Sequence, residues 1–311
     1  MNWQRGLACV LLTAGPALAS SGCLKKALLD GQIKGTRTGS NAVNTLHDFE
    51  VAQAVARAGL GQLEGFHYLA PDNVDAVFLL TRGWAGATFG FTEDEYEIAV
   101  EKGDDLLAEY HRLRARAGYE RARYYGIQLL GHTAQGFDQA KTNADTIAAW
   151  LKENFTEPSQ AEDLLWAGYA WIGHISVSKD IPALVGELYV GVAMVKRSVE
   201  LDEGAVYATG HTILGAYHAR TAMAELDESR VEFEKAIALN GGKFLPTKLN
   251  FAQRYYCAKG DKPAYEKMLH EVLAAGDDLP EARLQNVIAK RRARRYLGNP
   301  IWQEECGFAA Q

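Results

Sequence analysis

A chain of 311 residues with 33 basic and 39 acidic side chains carries a formal charge of -6, which excludes the basic footprint that holds nucleic acid. Its composition, 48% hydrophobic and 23% charged, is that of a globular protein. Only 8 prolines are present and alternating apolar–polar runs are rare, so the pattern excludes a β-rich fold and the class is all-α.

The front of the chain is an export device. Arg5 supplies the positive charge, Leu7 to Ala19 is apolar, and the run is too short to span a membrane. Two processing sites compete. Ala17-Leu18-Ala19 fits ordinary cleavage, whereas Ser20-Ser21-Gly22-Cys23 resembles a lipobox that would leave a lipidated Cys23 at the new terminus. The boundaries expected are a lipoprotein-type signal over residues 1–22, a tether or arm over 23–45, and one α-helical domain over 46–311. Lys25 and Lys26 would then lie beside anionic headgroups.

Helical periodicity begins at Leu46. His47 to Leu69 places Val51, Val55, Leu60, Leu63 and Phe66 near one face. Ala70-Pro71-Asp72-Asn73 is a hinge with a cap, and Val74 to Phe91 follows. Thr92 starts a helix with acids in its first turn, running to Arg116 and broken at Ala117-Gly118. Further helices are expected over Tyr119 to Leu130, Asp138 to Asn154, Gln160 to Val177 and Asp180 to Leu201. Ala264 to Ala275 and Pro280 to Leu297 form a last pair, and Gly298 to Gln311 is a cap or loose end.

Met194 to Cys257 holds one pattern twice. Leu201 pairs with Leu239 and Tyr217 with Tyr255, an offset near the ~34 residues of tetratricopeptide-type repeats. Such a unit buries its apolar face only against neighbours. The expected architecture is therefore about twelve helices in tetratricopeptide-like hairpins.

Catalytic and cofactor signatures are missing from the sequence. There is no phosphate-binding loop, zinc-protease helix, nucleophile elbow or paired C-x-x-C, so neither an enzyme nor a cofactor is expected. Gly59, Gly61 and Gly65 read as close-packing positions. His211 and His218 are two turns apart, too far for joint metal ligation. Binding candidates are aromatic: Trp166, Tyr169, Trp171 and His174 on one helix, Tyr207, His211 and Tyr217 on another. They would line either a concave surface or the core between helices. Asn250, Arg283 and Asn286 are polar contacts to a neighbouring unit. Lys290-Arg291-Arg292-Ala293-Arg294-Arg295 reads as a solvated face near a helix end, with docking to an acidic partner as the alternative. Cys257 and Cys306 are expected as two separate buried thiols rather than a pair.

Several local signatures appear in order. They are Arg121-Ala122-Arg123-Tyr124-Tyr125-Gly126, Leu164 to Trp171, Leu201-Asp202 with Tyr207 and Gly210-His211, Phe233 to Ala236, and Pro280 to Asn286 with Arg292-Ala293. In that order they resemble the T-component lipoproteins of tripartite ATP-independent periplasmic (TRAP) transporters. The resemblance implies a lipid-anchored periplasmic protein, on the outer rather than the inner membrane, assembling as a homotrimer. It also implies a non-enzymatic role beside the solute-binding subunit, and handling of a small hydrophobic ligand. The runner-up is a generic envelope adaptor of the tetratricopeptide type that binds a protein segment and no small ligand.

Overall fold

The computed structural model describes residues 20–220 and 224–308. The apolar export run therefore lies outside the described residues, and so does the side chain of Cys23. Among the described residues there is no strand, and the fold is all-α as expected.

The segment read as an arm is α1 (Ser20–Gly39), followed by a tight turn over Ser40–Thr45. Ile33 is fully buried beside Phe66, Ala70 and Ala76, and Arg37 donates to Asp75 at 2.7 Å, so the second half of α1 is docked on the body. The next helices are α2 (Phe49–Leu69), α3 (Val74–Ala87), α4 (Glu93–Glu101) and α5 (Asp105–Thr133). Then come α6 (Ala144–Asn154), α7 (Ala161–Ser176), α8 (Leu188–Leu201) and α9 (Ala205–His218). The chain closes with α10 (Leu226–Leu239), α11 (Leu245–Asn250), α12 (Lys262–Ala274), α13 (Arg283–Gly298) and α14 (Pro300–Glu304).

Local chemistry sets the boundaries. Asp48, Asn73, Asp104, Asn143 and Asp261 each accept a backbone N–H of the first turn they precede, a cap worth about 1 kcal/mol. The hinge at Asn73 is where the sequence puts it. The break expected at Ala117-Gly118 is not there. The chain breaks instead at Gly103, whose φ of +65° suits glycine, and α5 runs unbroken past Gly118. Gly118 is a packing glycine: a Cβ there would stand 2.2 Å from Thr88 Oγ1. Conversely, Gly59, Gly61 and Gly65 are not packing positions, because a Cβ at each would meet nothing within 4 Å.

The two copies of the repeated pattern end their first helices at Leu201 and Leu239, as the offset requires. The turns that follow differ. Val206, Tyr207 and Ala208 take φ of +47°, +60° and +60°, a left-handed turn that costs roughly 1–2 kcal/mol per residue. Asn240 Nδ2 donates to Tyr207 O at 3.2 Å and the Tyr207 ring stacks on Phe244 at 5.0 Å, which holds the turn.

Helices close in the chain order pack side by side: α3 against α5, α5 against α7, α7 against α8, α8 against α9, α9 against α10. Helix α13 packs on its neighbours α11 and α12 and also on α2 and the Ser40–Thr45 turn, so the path of contacts returns to its start. Leu284 and Ile288 join Ala52 and Phe91 in one apolar cluster, and Arg283 Nη1 donates to Thr45 O at 2.9 Å.

The closure overturns the solvated-face expectation for Lys290 to Arg295. Arg295 keeps 5% of its side-chain surface and donates to Asp94 Oδ1 at 2.6 Å and to Glu97. Arg291 Nε donates to Asp94 Oδ2 at 2.9 Å, and Tyr296 OH to Glu97 Oε1 at 3.0 Å. The acidic partner of this run is therefore α4 of the same chain; only Arg294 of its arginines is largely exposed. The two thiols expected to stay apart are joined as well. Cys257, at the end of the α11 segment, is bonded to Cys306 after α14, closing a loop for which the chain-entropy estimate is about 4 kcal/mol.

Replacing Arg295 by alanine removes the buried cation that Asp94 and Glu97 share and leaves them only the flanking Arg291 and Arg292. The expected loss is about 3–5 kcal/mol of unfolding free energy in urea titrations. Adding Asp94→Asn and Glu97→Gln to that variant is expected to restore part of it.

Candidate functional site

A short π-helical turn, Thr88–Thr92, joins α3 to α4 and brings Phe89 and Glu93 close to one another in the chain. Three further helices supply the surrounding groups. Tyr119 of α5 donates its hydroxyl to Glu93 Oε1 at 2.5 Å. Tyr169 of α7 meets Phe89 edge-on, with centroids 5.9 Å apart. Arg292 of α13 lies 4.2 Å over the Phe89 ring, and its Nη2 donates to Phe89 O at 2.7 Å. The same guanidinium stands 3.6 Å from Glu93 Oε2 and 3.6 Å from Glu97 Oε1. Gly173 of α7 permits this approach, since a Cβ there would fall 2.4 Å from the Tyr119 ring.

The electrostatics follow from burial among paired charges. Burial lifts the Glu93 carboxyl above the usual range, and the adjacent Arg292 and the Tyr119 hydroxyl oppose that rise. Burial and then the Glu93 charge push the Tyr119 phenol well up. Burial disfavours the Arg292 cation, but Glu97, Glu93 and Asp94 outweigh it, so the guanidinium stays charged. Arg292 Nε is buried without a hydrogen-bond partner. Glu93 nevertheless keeps 19% of its side-chain surface in contact with solvent, so water reaches the cluster. A carboxyl, a guanidinium with an unused N–H and two phenols stand here against aromatic faces. Among the described residues, no cluster of three His, Cys, Asp or Glu is placed to hold a metal ion.

The residues singled out in the sequence fall in separate places. On α7, Trp166 is half-buried, donates to Glu162 at 3.2 Å and packs on Tyr169, which puts it beside the wall. Trp171 and His174 are core: Trp171 is 1% exposed and donates to Glu187 O, and His174 is 3% exposed. Tyr207 serves the left-handed turn. His211 Nδ1 pairs with Glu232 at 2.5 Å on the far side of α9, and Arg220 covers the Tyr217 ring at 3.9 Å. Asn250 bonds back to Pro246 O. Asn286 holds the turn before α11 through Leu245 N and Lys243 O, and Arg283 pairs with Asp277. Phe89, Glu93, Tyr119 and Arg292 were not among the candidates. Their signal was the matched spacing of acids at 93, 94 and 97 with arginines at 291, 292 and 295.

A family model described as TRAP transporter T-component matches residues 45–300, most of the chain. No curated protein matches it. No helix among the described residues is long and apolar enough to cross a membrane.

Burial, with the nearby Arg123 and Arg116 charges, pushes the His174 imidazole down to about 4. The native state therefore holds this ring neutral while the unfolded chain protonates near 6.5. Its contribution is complete above that value and is lost as pH falls toward 4, by up to about 3 kcal/mol. Urea unfolding at neutral pH and near pH 5 is expected to show that loss in the wild type. His174→Phe should flatten the dependence.

Proposed function

The chain belongs to the TRAP transporter T-component family, and from that premise we propose that it is a periplasmic accessory lipoprotein that docks the solute-binding subunit. In this role it receives a ligand with a polar end and an apolar body on the wall of Phe89, Glu93, Tyr119, Tyr169 and Arg292. Transfer occurs by apposition of the two proteins, with no covalent step. The observation that carries the ligand half of the proposal is the grouping of Glu93 with Arg292, Tyr119 and Phe89, with part of the Glu93 side chain still open to solvent.

The remaining parts of the proposal concern assembly. The helix pairs act as tetratricopeptide-like units. Leu106, Tyr110 and Leu113 recur at helical spacing on α5 and are 87%, 57% and 46% exposed, an apolar stripe suited to contact between copies in a homotrimer. Lipidation of Cys23 would tether the assembly to the envelope, outer membrane rather than inner.

Affinity capture from envelope extract with the full-length chain is expected to retain the solute-binding subunit; capture of other envelope proteins in its place favours the generic adaptor. Sedimentation of Leu106→Glu/Leu113→Glu is expected to give monomer where the wild type gives trimer. A wild type that sediments as monomer removes the trimer from the proposal.

A further inference from the structure

Helix α1 runs beside α3 in the same direction. Asn73 Nδ2 donates to Asp30 Oδ1 at 2.8 Å, Arg37 Nη1 to Asp75 Oδ1 at 2.7 Å, and Arg82 Nη1 to Asn41 Oδ1 at 3.1 Å. Asp30 is therefore level with the start of α3, and the earlier part of α1 overhangs the hinge between α2 and α3. At the rise of an α-helix, Cys23 stands roughly 10 Å past that hinge. The arm is a helical strut docked along its second half.

The overhang carries an apolar face that nothing covers among the described residues. Residues 24–28 are all exposed. Leu24 and Leu28, one turn apart, are 62% and 66% exposed on the face opposite the buried Ile33. Leu29 and Ile33 hold α1 on the body, and Leu24 and Leu28 take no part in that docking. Tyr68 and Leu69, the last residues of α2, are 87% and 67% exposed at the same end of the body. Lys25 and Lys26 stand between the leucines. Lys26 pairs with Asp30 at 2.7 Å, and Lys25 is exposed.

Chain continuity selects the partner. Leu24 follows Cys23 directly. The attachment at Cys23 proposed above is the premise, and it holds the overhang at the bilayer surface. Leucines beside lysines suit that place: the apolar side chains enter the acyl boundary while the ammonium groups reach lipid phosphates, and tyrosine favours the headgroup level. We propose that Leu24, Leu28 and the rim formed by Tyr68 and Leu69 contact a phospholipid bilayer, so that the body stands hinge-first on the membrane. Helix α3, the π-helical turn and α4 form one continuous helical run from Val74 to Glu101. The turn at Gly103 then faces away from the bilayer, roughly 40 Å from the hinge, and is the end open to a soluble partner.

Mass spectrometry of the mature N-terminus first establishes whether Cys23 is acylated. Where it is not, a maleimide phospholipid coupled to the Cys23 thiol supplies the anchor, so failure of lipidation and failure of the contact are separate results. An environment-sensitive dye is then attached through an azide-bearing amino acid at Ala27, Leu69 or Lys102 of the full chain. The anchored protein is placed on phosphatidylethanolamine–phosphatidylglycerol vesicles that carry doxyl-labelled lipid as quencher. Quenching is expected at Ala27 and Leu69 and absent at Lys102. Leu24→Glu/Leu28→Glu, both surface changes, is expected to remove the quenching at Leu69 with the melting temperature unchanged. Quenching at Leu69 no stronger than at Lys102 overturns the proposal, because the body then swings free of the bilayer. Quenching at Leu69 that survives the double substitution overturns it as well. So does dye emission already blue-shifted without vesicles, which means that a second copy of the chain covers these leucines.

Discussion

The fold depends on the burial of opposite charges between α4 and α13. Asp94 and Arg295 keep only 2% and 5% of their side-chain surface. Taking either charge out of water alone costs several kcal/mol, and the cost is offset only because each finds its counterpart with hydrogen-bond geometry. The pairing also selects a register. Asp94 and Glu97 sit one turn apart, as do Arg291 or Arg292 and Arg295, so a slip of one residue would strand charge in the interior. A stack of helix pairs has two loose ends; here the ends satisfy each other across nearly two hundred positions of sequence. The disulfide between Cys257 and Cys306 ties the tail that carries Phe308 onto the apolar cluster formed by α11, α12 and α13.

That constraint and the inner wall share a residue. Arg292 belongs to the closing helix, yet its guanidinium covers Phe89 and faces Glu93. Docking of α13 therefore completes the wall. The chain holds two chemically distinct polar groupings: paired charge beside aromatics around Arg292, and the Glu64 carboxylate with its donors beside the exposed Tyr68 and Tyr124. Both suit recognition, which fits a family of transport components.

Most of the helix boundaries were legible in the sequence because they are set locally. Asn73 caps what it precedes, and Pro280 opens a turn, whatever the rest of the chain does. Glycines were misread because their role is tertiary. Gly118 and Gly65 look alike in sequence; only the surroundings decide, Thr88 for one and open space for the other. The basic run was misread for the same reason. Its cationic character is local, but its burial depends on α4, about two hundred residues earlier in the chain. The candidate residues on α7 and α9 were read from aromatic density, which marks core and surface alike. Trp166 lies beside the wall and Trp171, five residues on, lies in the core.

Amide hydrogen exchange on the native protein tests the closure most directly. In a closed body, the slowest amides of α4 and α13 open together, with one common free energy, despite their distance in sequence. An open stack would instead show α13 exchanging early as a fraying end while α4 stayed protected. That second pattern would contradict the account.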